Sequence, residues 1–417
     1  MHIPRDRYLK EILARRRNGF IKVVTGIRRS GKSYLLFKIF KQHLLGEGVS
    51  EDHIICIDLD NVENRHLRDI TALLAFVKSQ LKDQQHYYIL LDEVQLVPHF
   101  EEILNSWVDQ ENLDVYVTGS NSKFLSKDII TEFRGRGDEI HIFPLSYREF
   151  MQVYPGDRYQ GWTEYITYGG LPRVLSFSRP EQKSTYLKRL FQETYLQDIQ
   201  ARYHIKHLSE FNSLIDVLAS AIGSLTNPHK LAATFKSKMQ SKVSSNTLER
   251  YIAYLEDAFL LTKASRYDVK GRKYIGSPLK YYFEDVSLRN ARLSFRQVEE
   301  THLMENVIFN ELRARGFEVD VGVVPVRQSI NGDLRQRTSY EIDFVANLGS
   351  RRYYIQSAWS MSSPEEINAE KASLRQVPDH FKKIIIVQDA MPLRRDELGI
   401  NTLGIYDFLL NEQSLDD

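Results

Sequence analysis

The residues best suited to chemistry come early in the chain, in the stretch Gly26–Ser33, which reads Gly-Ile-Arg-Arg-Ser-Gly-Lys-Ser. Two glycines with four residues between them, followed by Lys and Ser, are typical of a loop that wraps a phosphate group, because glycine lets successive backbone N–H groups point inward. Lys32 is expected to reach the β- and γ-phosphates of a nucleoside triphosphate, and the Ser33 hydroxyl to bind Mg²⁺. The predicted nucleotide-binding residues are Gly26, Ile27, Arg28, Arg29, Ser30, Gly31, Lys32, Ser33 and Tyr34.

An acidic pair, Asp92 and Glu93, follows the apolar run 87–91. Downstream of a phosphate-binding loop, this pattern predicts that Asp92 holds Mg²⁺, directly or through water. Glu93 is then expected to act as the general base that polarises the attacking water. The alternative is a buried strand that simply ends in an acidic turn.

Two further sets of polar residues lie near the next two apolar runs. Ser120 and Asn121 follow the first of them, and either side chain can hydrogen-bond the γ-phosphate or the attacking water, although a turn or a helix cap fits as well. Arg134 and Arg136 precede the second run, and both resemble an arginine finger that stabilises charge on the transferred phosphoryl group, with Arg136 as the candidate catalytic residue. A solvated basic loop is the alternative for these arginines, and a finger would imply a homo-oligomer.

The elements that position these residues form a repeating pattern. Five short apolar runs alternate with helical periodicity, which predicts an α/β fold with a parallel sheet covered on both faces. The runs lie at residues 20–25, 54–58, 87–93, 114–120 and 139–143. One run separates the phosphate-binding loop from the acidic pair, as in P-loop ATPases that carry an additional strand and a catalytic glutamate.

Several motifs together resemble a prokaryotic AAA-type ATPase family whose members pair this domain with a C-terminal domain of unknown function. They are Gly26–Ser33 with its double arginine, Leu91–Glu93, Thr118–Ser120, Phe143–Ser146 and Tyr168–Pro172. The resemblance implies ATP binding and ATP hydrolysis. The organisation is also similar to archaeal ATPases that join the same core to a winged helix and a nuclease-like tail. Arg28 and Arg29 are predicted to face the lid or the C-terminal module and to couple it to the nucleotide.

The middle of the chain predicts a helical lid at residues 146–205, in which Arg173 is the best-placed arginine to sense the nucleotide. Residues 206–285 predict three helices and a β-hairpin, the pattern of a winged helix. Residues 202–282 hold thirteen Lys and Arg against six Asp and Glu. Duplex DNA is therefore a candidate partner, and a packing or protein-binding role is the alternative. The candidate phosphate contacts are Arg250, Lys270, Arg272 and Lys273.

Residues 286–417 show a helix and then strands, an order that resembles the PD-(D/E)xK nuclease fold. Glu305 or Glu311 and Asp343 match two of its acids. The third strand departs from the pattern, because Gln356 and Ala358 stand where an acid and a lysine are expected, which leaves little charge for a metal ion. We expect a degenerate, restriction-endonuclease-like α/β domain that serves as a scaffold or partner-binding module; Lys371 is a weak substitute for the lost lysine.

Composition limits the remaining possibilities. The chain has 417 residues, 42% hydrophobic content, a net charge of +1 and a single cysteine, Cys56, which is expected in a strand core. These values predict a cytoplasmic protein without an intramolecular disulfide, a cysteine-based zinc cluster or a membrane span. The predicted segments are an ATPase core at 1–145, a lid at 146–205, a winged-helix segment at 206–285 and the nuclease-like domain at 286–417.

The sequence as a whole predicts a Mg²⁺-dependent ATPase that repositions C-terminal DNA- or protein-binding modules, with ATP and Mg²⁺ as cofactors. Duplex DNA, an unidentified protein and further copies of the chain are the candidate partners. One alternative is a switch that binds ATP without turnover, and Glu93 argues against it. The other is an ATP-gated DNA nuclease, and Gln356 and Ala358 argue against that.

Overall fold

The structure is a computed structural model that describes residues 3–119, 135–330 and 334–416. Internal contacts divide the chain into two compact units. The first unit comprises residues 1–145, 171–176 and 257–259, and the second comprises 146–170, 177–256 and 260–417. The boundaries expected from sequence at 205 and 285 both fall inside the second unit. Residue 285 does not separate two units because strands from both sides of it join one sheet.

The first unit is built around a five-stranded parallel sheet, which confirms the predicted fold class. Its strands are β1 (Ile21–Thr25), β2 (Ile54–Asp58), β3 (Tyr87–Asp92), β4 (Leu113–Thr118) and β5 (Gly137–His141). Their order in the sheet is β2-β3-β4-β1-β5. β1, which carries the phosphate-binding loop at its carboxyl end, therefore lies between β4 and β5, and β3 is the next strand beyond β4.

Helices cover both faces of this sheet. The helices are α1 (Asp6–Ala14), α2 (Lys32–Tyr34), a π-helical turn (Leu35–Phe40), α3 (Lys41–Gly46), α4 (Ile70–Gln80) and α5 (Phe100–Val108). Leu36 and Phe40 pack with Val24 of β1 in one cluster, whereas Leu104 and Trp107 of α5 pack against the opposite face. Because both faces are buried, the strands read as continuous apolar runs.

Cys56 departs from its expected place in the core. It lies on β2, the edge strand of the sheet, and its side chain is exposed. Its neighbours Ile55 and Ile57 point to the opposite face and are buried. An apolar run thus predicts a strand, but the position of that strand in the sheet decides which of its faces is covered.

The second unit begins with helices and ends in a large mixed sheet. Its helices are α6 (Tyr147–Met151), α7 (Arg158–Tyr168), α8 (Pro180–Arg189), a π-helical turn (Leu190–Leu196), α9 (Gln197–Tyr203), α10 (Leu208–Ser220), α11 (Pro228–Met239), α12 (Ser245–Asp257), α13 (Val286–Arg292), α14 (Glu300–Ala314), α15 (Pro364–Arg375) and α16 (Ile405–Leu410). Among the helices of the described ranges, none combines the length and apolar composition that a bilayer crossing requires.

The eight-stranded sheet of the second unit has the order β12-β13-β11-β10-β9-β8-β6-β7. The strands are β6 (Leu261–Asp268), β7 (Lys273–Phe283), β8 (Glu318–Ile330), β9 (Leu334–Leu348), β10 (Arg351–Ala358), β11 (Lys382–Val387), β12 (Arg394–Arg395) and β13 (Ile400–Gly404). β6 and β7 form the hairpin expected after three helices, and β6 also pairs in parallel with β8. The hairpin is therefore the edge of a larger sheet.

Candidate nucleotide-binding site

The loop between β1 and α2 has the backbone geometry that a phosphate-binding loop requires. Gly26 has φ +132°, and a Cβ atom there would lie 2.3 Å from the carbonyl oxygen of Ile142 on the segment after β5. Gly31 has φ +102° and begins the helix, while Arg29 has φ 67°. Glycine is needed at residue 26 for close approach and at residue 31 for the left-handed backbone.

Lys32 extends its side chain back along the loop. Its Nζ donates hydrogen bonds to the carbonyl oxygens of Gly26, at 2.9 Å, and Ile27, at 3.0 Å. Burial lowers the pKa of Lys32 to about 8, against the opposing charges of Glu93 and Asp92. The ammonium is therefore held inside the loop and near both predicted acids, where a phosphate would stabilise its charged form.

Asp92 ends β3 beside the loop and is buried. Burial raises its pKa, and hydrogen bonds with the hydroxyl groups of Thr118 and Ser33 act in the opposite direction. Ser33 lies close enough to Asp92 to lower the pKa of that carboxyl, so the two predicted Mg²⁺ ligands are neighbours. Two adjacent oxygen ligands of this kind fit a hard divalent cation.

Thr118, the last residue of β4, fixes the acidic pair from the neighbouring strand. Its fully buried hydroxyl donates to Asp92 Oδ1, and its oxygen accepts a hydrogen bond from the backbone N–H of Glu93 at 3.0 Å. Glu93 has φ 53°, an unusual conformation for a non-glycine residue that the Thr118 hydrogen bond helps to hold. The sequence marked Thr118 only as part of a family motif and gave it no role, because its position beside Asp92 depends on the order of the strands.

Of the residues predicted to contact the γ-phosphate or to act as an arginine finger, the structure describes one. Ser120, Asn121 and Arg134 lie outside the described residues. Arg136 is described, and its guanidinium forms an ion pair with Asp109 of the same chain. Both side chains of this pair are exposed, so the contact is one that solvent and salt weaken.

A cleft of about 540 Å³ lies beside the loop, within the first unit. Its lining includes Arg29, Gly31 and Tyr34 from the loop and helix, Arg173 from the segment 171–176, and Arg5. The cleft therefore brings together three guanidinium groups from distant parts of the sequence. Arg29 and Arg173 therefore line the same cleft, and their roles in coupling and in sensing the nucleotide stay predictions.

Arg5 is the cleft residue that sequence reasoning missed. Its guanidinium donates hydrogen bonds to the carbonyl oxygens of Ser30, at 3.0 Å, and Phe143, at 2.6 Å, and lies 4.6 Å from the ring centroid of Tyr8. It thereby ties the phosphate-binding loop to the segment after β5. No local pattern marks a lone N-terminal arginine for such a role, because its partners come from elsewhere in the sequence.

The basic residues predicted to contact DNA come from one helix and from the turn of the hairpin. Arg250 is exposed on α12, Lys273 is exposed at the start of β7, and Lys270 donates from Nζ to the carbonyl oxygen of Pro325 at 3.0 Å. Arg272 lines a different cleft, together with Arg351 and Arg352.

The nuclease-like acids surround a buried lysine. Lys280 of β7 lies 2.9 Å from Glu305, 2.8 Å from Glu341 and 3.6 Å from Asp343. Burial would lower the pKa of Lys280, but these carboxylates raise it above its ordinary value. An ammonium thus balances charges that a metal ion balances in active nucleases, and no group of three metal-binding side chains occurs in residues 3–119, 135–330 and 334–416.

The other nuclease-like candidates have structural partners. Glu311 pairs with Arg315 at 2.8 Å, which leaves Glu305 as the acid of α14 that meets Asp343. Lys371 pairs with Asp396 at 2.8 Å and is therefore engaged elsewhere. Lys371, the weak substitute for the lost nuclease lysine, therefore makes no ion pair in the described ranges with the acids around Lys280.

The fold and the site define a nucleotide-binding AAA-type domain with a P-loop. Residues 18–151 match a family model described as an AAA domain, and residues 159–299 match one described as a domain of unknown function. The chain belongs to the family of AAA-type proteins that pair these two domains. It is 32% identical over 414 residues to an uncharacterised protein of Haemophilus influenzae, covering 98% of each chain.

Other relatives are more distant. An uncharacterised protein of Methanocaldococcus jannaschii is 26% identical over 373 residues, which cover 86% of this chain and 79% of the relative. Among solved structures, the Orc1 protein of Aeropyrum pernix in complex with DNA shows 14% identity and a TM-score of 0.29, over 70% of this chain and 92% of that one. A DNA replication initiation factor shows 13% identity and a TM-score of 0.27, over 73% and 91%.

Proposed function

We propose that the chain binds ATP together with Mg²⁺ and hydrolyses it to ADP and phosphate, and that turnover repositions the C-terminal modules. The observation that carries the proposal is the contact set at the ends of β3 and β4. Thr118 bridges Asp92 and Glu93, and Asp92 also bonds to Ser33 of the loop. A base, a cation-binding carboxylate and a phosphate-binding lysine therefore meet at one edge of the sheet.

Each residue of this set has a distinct task. Lys32 would release its two carbonyl partners and place its ammonium on the β- and γ-phosphates. Ser33 and Asp92 would hold Mg²⁺, which neutralises charge on the phosphate oxygens. Glu93 would accept a proton from the attacking water while the new oxygen–phosphorus bond forms and the bond to ADP breaks. Orientation and charge stabilisation are the main contributions that a protein makes to this reaction.

Ser120 or Asn121 would contact the γ-phosphate or the water, and Arg136 would act as a finger toward another copy of the chain. A mixing experiment tests the finger. Lys32→Ala has an intact Arg136, and Arg136→Ala has an intact loop, so a mixture of the two inactive variants should regain turnover if the finger acts between copies. A mixture that stays as inactive as its components would rule out this role.

The segment 171–176 supports coupling between the nucleotide and the second unit. It contributes Arg173 to the cleft of the first unit, whereas the residues on both sides of it belong to the second unit. Just before it, Gly170 donates its N–H to the buried Asp285 at 2.8 Å, and a Cβ atom on Gly169 would lie 1.9 Å from the same carboxylate. A shift of Arg173 on nucleotide binding would therefore be transmitted along the chain to Gly169 and Gly170, which Asp285 holds in position in the second unit.

Turnover measurements on matched variants test hydrolysis. We expect Lys32→Ala to lose ATP binding and turnover, and Glu93→Gln to bind ATP without turning it over. Glu111→Gln, the same change at an exposed loop residue of the first unit, is the control and should behave as the wild type. Wild-type turnover at background level, or turnover in Glu93→Gln equal to the control, would refute hydrolysis and favour the switch that binds ATP without turnover.

Duplex DNA is the proposed partner of the helices α10–α12 and the hairpin β6–β7. The specific observation in its favour is a bridge between Thr226, just before α11, and Leu279 of β7, which links the helices to the hairpin as in a winged helix. Duplex DNA should stimulate turnover, and neutralising Arg250, Lys270 and Lys273 should abolish the stimulation. If duplex DNA stimulates the turnover of this variant as strongly as that of the wild type, these residues do not bind the DNA. Protein binding then remains the proposed role of this segment.

A further inference from the structure

Two adjoining clefts in the second unit carry a concentration of positive charge. The first, of about 450 Å³, is lined by Arg272, Arg351 and Arg352, and the second, of about 500 Å³, by Lys382, Lys383 and Arg395. Asp379 and Phe381 line both, so the clefts share a wall. We call the pair the basic groove, defined by Arg272, Arg351, Arg352, Lys382, Lys383 and Arg395.

Arg352 is held rigidly in the wall of the groove. Its guanidinium lies 5.2 Å from the ring centroid of Tyr267 and 5.5 Å from that of Phe381, and its Nε donates to Asn347 Oδ1 at 2.7 Å. Aromatic rings near a guanidinium fix its plane and reduce the entropy lost on binding. A planar, pre-oriented donor of this kind suits the oxygens of a phosphate group.

The other arginines of the groove are weakly engaged by protein acids. Arg351 pairs only across an exposed contact with Asp416, and Arg272 makes no ion pair within the described part of the chain. Asp379 is the one carboxylate among the residues that line the two clefts, and it already accepts hydrogen bonds from the Tyr354 hydroxyl and the backbone N–H of Phe381. The groove therefore keeps a strong excess of positive charge.

We propose that the basic groove binds the sugar–phosphate backbone of a single-stranded nucleic acid, with Phe381 stacking on an unpaired base. Six cationic side chains spread over two clefts of about 450 and 500 Å³ favour a chain of phosphates over one nucleotide. Phe381 is 42% exposed, and an exposed aromatic residue set among cations is the pattern of single-strand binding. The proposal rests on the proposed nucleic-acid role of the second unit and is independent of ATP turnover.

Fluorescence anisotropy with the full chain, without ATP, tests the groove. Short labelled DNA and RNA single strands and a DNA duplex of equal length are the probes. We expect Arg272→Gln/Arg351→Gln to weaken single-strand binding at least about tenfold and to weaken duplex binding less. The slope of log affinity against log salt should decrease by about 1.4, because each lost phosphate contact of a single strand contributes about 0.7.

The matched control is Arg189→Gln/Arg296→Gln, which removes two exposed charges of the second unit that do not line the groove. Equal single-strand affinities of the control and the groove variant would overturn the proposal, as would a groove variant that loses duplex affinity as strongly as single-strand affinity. A higher affinity for the DNA or for the RNA single strand would show which of the two nucleic acids the groove binds. Both variants should keep wild-type thermal stability, because all four side chains are exposed or paired only at the surface.

Phe381→Leu tests the stacking contact separately. It keeps the charge of the groove and removes the ring, so single-strand affinity should fall about tenfold with an unchanged salt slope. Inorganic polyphosphate, which has no bases, should compete equally well for the wild type and this variant. Unchanged single-strand affinity would overturn the stacking role and the preference for unpaired strands. ATP turnover measured in parallel distinguishes these failures from a failure of the proposed hydrolysis.

Discussion

Replacing Thr118 with valine removes one hydroxyl and leaves the shape of the side chain nearly unchanged. In the wild type this hydroxyl donates to Asp92 and accepts from the N–H of Glu93 at 3.0 Å, and the residue is fully buried. Thr118→Val therefore leaves a buried carboxylate without one donor and a backbone N–H without its acceptor. Two adjacent groups of the proposed active site lose their fixed positions through a change that adds no bulk.

The expected loss follows from the kind of hydrogen bond removed. A hydrogen bond to a charged group contributes about 1.5 to 3 kcal/mol. If that energy orients Asp92 and Glu93 in the transition state, turnover should fall about 10- to 100-fold. ATP binding should change little, because the loop and Lys32 are untouched.

The pH dependence of turnover gives the prediction a second, independent readout. The Thr118 hydroxyl opposes the rise that burial causes in the pKa of Asp92. Without it the pKa of Asp92 rises further, so the carboxylate is protonated at a higher pH and the acid limb of the turnover profile should move upward. A simple loss of stability would not displace this limb.

Phosphate release measured across mildly acidic to alkaline pH, with ATP binding followed by calorimetry, is the appropriate assay. Thr118→Ser is the matched control, because it keeps the hydroxyl and loses only a methyl group, and its acid limb should coincide with that of the wild type. Thr118→Val with turnover within about twofold of the wild type and an unshifted acid limb would refute the assigned role.

Three further predictions concern ionisable groups. ATP should raise the pKa of Lys32 from about 8, so binding above that pH should take up a proton and weaken as pH increases; calorimetry in buffers of different ionisation enthalpy measures the uptake, and an equal observed binding enthalpy in all of these buffers would contradict it. Lys280→Met should lower the free energy of unfolding in urea by about 3 to 5 kcal/mol, and adding Glu305→Gln should recover part of it; full stability of the single variant would contradict the ion cluster. Burial raises the pKa of Asp285 from 3.8 to about 6, so the folded state binds this proton more tightly and the group's contribution to stability should fall by about 3 kcal/mol as pH rises between these values. Urea unfolding of the wild type and Asp285→Asn over that range should differ in slope, and parallel curves would show that Asp285 does not titrate there.

The sequence by itself determined the class of the first unit and marked most of the residues proposed for its chemistry. A glycine-bounded loop between an apolar strand and a helix, and an acidic pair at the end of another strand, are local patterns set by backbone sterics and burial. Lys32, Ser33, Asp92 and Glu93 were therefore identifiable without coordinates. The alternation of five apolar runs with helices also determined that the sheet is parallel.

Only the tertiary structure decided which distant residues meet. Strand order places Thr118 beside Asp92, an N-terminal arginine reaches the loop, and Lys280 enters the acid cluster around Glu305. The tertiary structure also joins the β6–β7 hairpin to a larger sheet. The sequence predicted that this hairpin belongs to a separate winged-helix segment. Local periodicity reports whether a residue is helical, extended or buried, but it does not encode the partner across a sheet, because strand pairing and side-chain contacts depend on which of many compatible surfaces the whole chain brings together.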